Sequence, residues 1–139
     1  MVSQVPVFQS AALPYRVTPD GSAEVLLVST TSAHRWGIPK GAIELGHTFA
    51  SSAAKEAFEE AGVTGDISPS AAGHYRAIKR TPCGGQALLE VWVHLMRVTS
   101  ELDDWPEKGR RELRWCPAAT AATQLDEPMV ADLCRRLAA

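Results

Sequence analysis

The chain has 139 residues, 45% apolar and 22% charged, with a formal net charge of −2 at pH 7. Such values fit an ordinary globular protein, large enough to bury a sizeable core, and predict one domain over residues 1–139. They exclude a general electrostatic pull toward nucleic acid or membrane, so affinity for an anionic substrate has to come from local basic groups. No apolar run is long enough to span a bilayer, and the N-terminus lacks the basic start and apolar stretch of a signal peptide. The three cysteines, Cys83, Cys116 and Cys134, are odd in number and lack metal-ligand spacing, which reads as reduced thiols in a cytoplasmic protein.

Val5 to Leu13 is apolar-rich and extended, and Pro6 and Pro14 predict an edge or bent strand. Pro19-Asp20-Gly21 is a turn signal, after which Ala23 to Thr30 reads as a strand. A glycine-bearing turn through Pro39, Lys40 and Gly41 then leads into a helix that Thr48 can cap and Gly62 can close. Ala50, Ala53, Ala54, Ala57, Phe58 and Ala61 form its apolar stripe at helical period. Glu56, Glu59 and Glu60 stand at i, i+3 and i+4, which puts them on neighbouring turns of one face. The pattern predicts small residues buried against a core and a tight acidic group pointing outward.

Gly65-Asp66 opens a short segment leading to a strand near Gly73–Arg80, and Pro82-Cys83-Gly84-Gly85 marks the tip of a hairpin or loop. The clearest strand is Ala87–Val98, where Leu89, Val91, Val93 and Leu95 alternate with Glu90, Trp92, His94 and Met96. Arg111–Trp115 is a further short strand and Pro117 to Thr123 a short helix. Asp126 is placed to cap a C-terminal helix whose Val130, Leu133, Cys134 and Leu137 fall at core-facing spacing. Several strands with two well-supported helices suit an α+β sandwich, helices covering both sides of a mixed sheet.

Three clustered carboxylates suit a hard divalent cation bound through oxygen ligands. The bland alternative is a solvated acidic face, since exposed like-charge pairs at this spacing cost only about 0.2–0.5 kcal/mol each. The capped, glycine-led unit around the acids favours a site. Positive partners for a charged substrate are Arg35 and Lys40 before the acids, Arg76, Lys79 and Arg80 after them, and Arg110, Arg111 and Arg114 near the end. Arginine suits phosphate because its planar fork offers two parallel donors. Trp36, Trp92, Trp105 and Trp115 read as packing groups rather than base-stacking ones. His34, His74 and His94 are scattered and form no zinc set. Glu90 reads as an exposed strand residue, with an added metal carboxylate as the alternative.

Residues 41–63 resemble the Nudix box: a glycine, five residues, a glutamate, seven residues, then Arg-Glu-apolar-x-Glu-Glu-x-Gly-apolar. Gly41, Glu56, Ala57, Glu59, Glu60, Gly62 and Val63 match at that spacing, while His47 replaces the first glutamate and Lys55 the arginine. Lysine keeps the charge but loses the bidentate fork, and His47 removes an acid that supports the metal site in the family. Glu24–Ser29 and Arg35–Gly41 look like the strand and loop before the box in diphosphoinositol and diadenosine polyphosphate hydrolases. Asp103-Asp104-Trp105 and Gly109–Trp115 are similar to segments of the diphosphoinositol branch.

The resemblance implies a Nudix-type α/β/α sandwich with a mixed central sheet. It also implies a hydrolase that cleaves a phosphoanhydride in a diphosphate-X substrate with Mg²⁺, or with Mn²⁺ in its place. On the matching positions, Glu56 and Glu60 become metal ligands and Glu59 the general base. Arg35, Lys40, Gly41, Arg110 and Arg111 become substrate-binding, Gly41 through close approach of its backbone. The substrate is a small-molecule polyphosphate, either a diphosphoinositol polyphosphate or a dinucleoside polyphosphate. Membrane is not expected as a partner, nucleic acid is disfavoured apart from capped or triphosphorylated RNA ends, and a homodimer stays open. The departures at 47 and 55 support a different class, a weak or inactive Nudix module that binds a nucleotide or phosphate ligand for regulation.

Overall fold

In the computed structural model, which describes residues 5–30 and 35–139, β1 (Val7–Val17) runs through the middle of an eight-stranded sheet. His34 lies outside the described residues. The other strands are β2 (Ala23–Ser29), β3 (Trp36–Gly37), β4 (Lys40–Ala42), β5 (Val63–Ile67), β6 (Gly73–Arg80), β7 (Gln86–Glu101) and β8 (Leu113–Pro117). The helices are α1 (Phe49–Ala61), α2 (Ala118–Gln124) and α3 (Pro128–Ala138). The order β3-β2-β1-β7-β5 forms the spine, with β4 on β1, β6 on β7 and β8 on β2. The β1–β7 pair is parallel and the other pairs are antiparallel, so the sheet is mixed.

The central place of β1 corrects the edge-strand expectation drawn from its prolines. Its partner on one side is β7, and on the other it changes from β4 at Gln9–Ala11 to β2 at Tyr15–Val17. Ala12 N–H points to that second side, donating to Pro39 O at 3.0 Å. Two residues on, the N–H that Pro14 lacks would point the same way, into the gap between partners, so no ladder bond is lost.

The two faces of the sheet carry separate cores. Ala11, Leu13, Val25, Leu27, Val91 and Val93 pack with residues of α2 and α3, while Ala12, Leu26, Val28 and Met96 pack with Ala53, Ala57 and Ala61 of α1. The fold is therefore the expected α+β sandwich. Covering both faces also explains why Glu90 and His94 are buried, against the reading of Glu90 as exposed. Each finds a partner: Arg76 Nε and Trp92 Nε1 both donate to Glu90 at 3.1 Å, and His94 Nδ1 meets Ser68 O at 2.8 Å.

Both ends of α1 form as the sequence dictates. Thr48 Oγ1 accepts from Ser51 N–H at 3.0 Å, Ser51 Oγ accepts from Thr48 N–H at 2.9 Å, and Gly62 closes the helix at φ 65°. The outward acidic face, however, needs correction. Glu60 falls between Ala57 and Ala61 on the buried side and is 6% exposed, whereas Phe58 lies at the surface. The cap of α3 is Glu127 rather than Asp126. Its carboxylate accepts from Met129 N–H at 2.9 Å, and Pro128 at the first helical position has no N–H to leave unpaired. Among the described residues, no helix is long and apolar enough to cross a membrane.

Candidate metal and phosphate site

The acids of α1 sit where β4 crosses the helix. Gly41 pairs with Ser10 of β1, and a Cβ built on it would lie 2.3 Å from Glu56 Oε1. Only glycine leaves that carboxylate room against the strand. One turn further on, Glu60 Oε2 accepts from Lys40 N–H at 3.2 Å, with Arg111 Nε 3.8 Å from Oε1. Glu56 and Glu60 are close enough that each acts on the other's protonation.

Burial is the first cause lifting both groups above the carboxylate range. For Glu60 the nearby Glu56 adds to it and Arg111 works against it, leaving the carboxyl at about 8. For Glu56 the neighbouring Glu59 pushes the same way as burial, while Glu60 opposes it. The pair thus holds a proton near neutrality, as closely spaced carboxyls in a dry site do.

Glu59 lies on the other flank. Its Oε1 is buried without a hydrogen-bond partner, although Lys55 Nζ stands 3.3 Å away at ion-pair distance. Lys55 also grips Glu44, at the turn before the helix. Carboxylate oxygens of Glu44, Glu56 and Glu59 all lie within 4.8 Å of one another, half-buried to exposed. Glu44 was not among the acids singled out from the sequence. Its signal was present, three positions before His47, but spacing alone did not show that the turn would fold it inward.

The segment after β7 locks onto the C-terminal end of α1. Leu102 N–H donates to Gly62 O at 2.8 Å and Glu107 N–H to Glu59 O at 3.0 Å, while Trp105 packs on Gly62. This latch carries Arg111 to Glu60, and Glu107 holds the same guanidinium. Of the five expected substrate residues, Lys40, Gly41 and Arg111 therefore meet the acids. Arg35 pairs with Asp126 at 3.8 Å, and Arg110 is exposed in the turn closed by its N–H to Glu107 O. Loss of water around the Lys40 ammonium lowers its pKa; Glu60 and Glu127 resist, and Lys79 adds to the lowering.

Glu90 stands outside this cluster in the described contacts. Its carboxyl falls below the usual range because the bonds from Trp92 and Arg76 outweigh desolvation, which acts the other way.

Residues 8–133 match the family profile described as the NUDIX domain. The chain belongs to the NUDIX domain family. It is 38% identical over 97 residues to Nudix hydrolase 12, mitochondrial, of Arabidopsis thaliana, covering 66% of this chain and 47% of that protein. It is also 29% identical over 135 residues to Nudix hydrolase 16, mitochondrial, of the same plant, covering 88% and 74%. The chain thus spans about half the length of the first of these relatives.

Among solved structures, a C. elegans Ap4A hydrolase superimposes with a TM-score of 0.63 at 23% identity, covering 95% of this chain and 96% of the other. The NUDIX domain of Shewanella oneidensis NrtR, complexed with ADP ribose, gives 0.62 at 15% identity over 96% and 87%. At those identities the likeness is one of fold. Within the Nudix box of this chain, both departures have a visible role. His47 turns its Nδ1 to Ser51 Oγ at 3.1 Å beside the helix cap, and Lys55 links Glu44 to Glu59.

Proposed function

We propose that the chain is a divalent-cation-dependent hydrolase cleaving a phosphoanhydride bond in a diphosphate-X substrate. The observation that carries this reading is the convergence of Glu56 and Glu60 on the strand bearing Gly41, with the carboxylates of Glu59 and Glu44 beside Glu56. The group consists of hard oxygen donors without histidine or thiolate, which fits Mg²⁺ or Mn²⁺ rather than zinc.

Glu56 and Glu60 would hold the cation, Glu56 standing between Glu60 and the Glu44–Glu59 pair. A bound divalent ion neutralises phosphate oxygens and acidifies water at such a site. Glu59 would accept the proton from the attacking water, with Lys55 pairing to its carboxylate. Burial keeps Glu60 protonated near neutrality, so taking up the cation requires it to give that proton up. Lys40 and Arg111 supply positive charge at the rim, and Arg35 and Arg110 are the outer candidates for a long polyphosphate.

The favoured substrates are diphosphoinositol polyphosphates and dinucleoside polyphosphates. The basic segment through Arg110 and Arg111 favours the first. A Mg²⁺-dependent hydrolysis screen over nucleoside, dinucleoside and inositol diphosphates, with products identified, decides between them. Phosphate release points to the inositol class and mononucleotide release to the dinucleotide class. Silence on the whole panel removes the enzyme reading. One observation favours the second reading, a module that binds ligand without turnover: the Lys55 ammonium occupies the acid cluster beside Glu59. That reading requires ligand binding with no product at any Mg²⁺ or Mn²⁺ concentration.

A further inference from the structure

The loop between β7 and β8 does more than carry Arg111 to the acids. Glu107 is fixed there twice through its backbone, its N–H on Glu59 O at 3.0 Å and its carbonyl accepting from Arg110 N–H at 3.1 Å. Gly109, at φ 87°, turns the chain so that the Arg111 side chain returns to Glu107. The guanidinium then lies between two carboxylates, and it lies unevenly. Arg111 Nη1 donates to Glu107 Oε1 at 2.5 Å, whereas Arg111 Nε stays 3.8 Å from Glu60 Oε1, beyond hydrogen-bond length.

We propose that Glu107 is a positioning residue that holds Arg111 off Glu60, leaving Glu60 open to the divalent cation and the other guanidinium donors open to phosphate. The inference rests on the metal-dependent reading above and deepens it. Glu107 engages one edge of the planar fork, and the remaining N–H groups are free to meet phosphate oxygens. An arginine released from Glu107 has a strong alternative close by, the Glu60 carboxylate. Closing that gap would cover the oxygen a cation needs, and a guanidinium cannot give up its proton to yield the place.

Two features tie this arrangement to the acids rather than to the outer surface. The side chains of Arg111 and Glu107 are only 20% and 22% exposed, so their pair is screened less than an ion pair on the rim. The bond to Glu59 O also anchors Glu107 to the turn of α1 that presents Glu59 and Glu60. The loop and the acids therefore keep a common frame, and Arg111 is placed relative to the carboxylates by the helix that carries them.

The test is a double-substitution cycle in the full chain, read by Mn²⁺ titration through the electron-spin signal of the free ion. Glu107→Ala is expected to weaken Mn²⁺ binding about tenfold, because Arg111 then closes on Glu60. In an Arg111→Ala background the same substitution should cost less than about twofold, since no guanidinium remains to intrude. A Glu107 that acts only as nearby negative charge, or only through the fold of the loop, weakens binding equally in both backgrounds. Calorimetry with imidodiphosphate at saturating Mg²⁺ gives a second readout. Glu107→Ala and Arg111→Ala should each lower its affinity about tenfold, and the double variant no further.

Equal Mn²⁺ costs in the two backgrounds overturn the inference, and so do additive losses for imidodiphosphate. If Glu107→Ala melts early, Glu107→Gln repeats the cycle with the shape kept and the charge removed, and the same pattern is expected at smaller size. Glu56→Gln separates the two levels of the argument. A parent that binds Mn²⁺ and loses it in Glu56→Gln, with equal costs of Glu107→Ala in both backgrounds, removes only the role of Glu107. A parent that takes up no Mn²⁺ removes the cation reading and this inference with it.

Discussion

Glu56 and Glu60 share a partly dry site between α1 and β4, Glu56 against Gly41 and Glu60 against the Lys40 N–H, and burial lifts both carboxyls. Glu60 reaches about 8, far above its unfolded value, so the folded protein binds more protons than the unfolded chain between roughly pH 4.5 and 8. The sign follows. Stability of the metal-free protein is fullest below the unfolded pKa and falls as pH rises through that window. The expected loss is on the order of a few kcal/mol, since one pKa unit is worth about 1.4 kcal/mol and the two carboxyls titrate as a pair. Urea unfolding in EDTA from pH 5 to 9 measures it. Glu60→Gln should flatten the slope, and a parent more stable at pH 8 than at pH 5 would contradict the buried protonated pair.

Glu59 is the acid whose removal should separate chemistry from binding. Its ion pair with Lys55 is partly exposed, and Lys55 keeps Glu44 as a partner if the carboxylate becomes an amide. Glu59→Gln is therefore expected to fold normally and to lower kcat by about 10²–10⁴-fold, the usual worth of a general base. KM should change far less. Equal loss in Glu56→Gln and Glu60→Gln, accompanied there by weakened Mn²⁺ binding, would separate ligand from base. Activity within about twofold of the parent in Glu59→Gln would move the base elsewhere.

Much of the architecture was legible because it depends on local chemistry. Thr48 and Gly62 bound α1 through side-chain capping and a left-handed backbone, both written in single residues. The alternation in β7 marked the inner face correctly through Leu89, Val91 and Val93. It misled on Glu90, because period-two patterning cannot tell whether a second helix layer covers the polar face. Pro14 misled for a similar reason: its cost depends on which strand lies opposite, a fact of topology. The short strands β3 and β4 carry too few residues to show a period.

The site divides along the same line. Glu56, Glu59, Glu60 and Gly41 were readable because helical spacing and a required glycine fix them. Glu44 was not, since it arrives through a turn whose direction is set by Gly46 and by a bond to Ser52. The partnership of Arg111 with Glu60 depends on a latch of backbone bonds from Leu102 and Glu107, invisible at long sequence separation.

That latch and the strand beside it give a stability test at two glycines. A Cβ on Gly65 would lie 2.0 Å from Arg97 O, a backbone atom of β7 at the register shift between Thr64 and Gly65. Gly62 combines φ 65° with a Cβ position 2.4 Å from the Trp105 ring. Gly65→Ala and Gly62→Ala are each expected to cost about 1–3 kcal/mol, as overpacking and backbone strain do. Gly37 has nothing within 4 Å of its Cβ position, so Gly37→Ala should stay within about 0.5 kcal/mol of the parent. Thermal or urea unfolding compares the three, and parent-like stability in Gly65→Ala would place the close approach in doubt.

Gly41→Ala should behave in the opposite way, sparing the fold and harming the site. The atoms that an added Cβ would meet, at 2.3 to 2.8 Å, are all in the carboxylate of Glu56, the far end of a flexible side chain. That group can swing aside at small energetic cost, so melting should change by less than in Gly65→Ala. In swinging it leaves the position from which it faces Glu44, Glu59 and Glu60. Mn²⁺ affinity is then expected to drop about 10–100-fold, with turnover falling at subsaturating metal and recovering in part as metal is raised. A variant that melts early but binds the ion like the parent would mean that the strand, not the carboxylate, yields to the methyl group. Glu56 would then lose its place as the acid around which the cation site is organised.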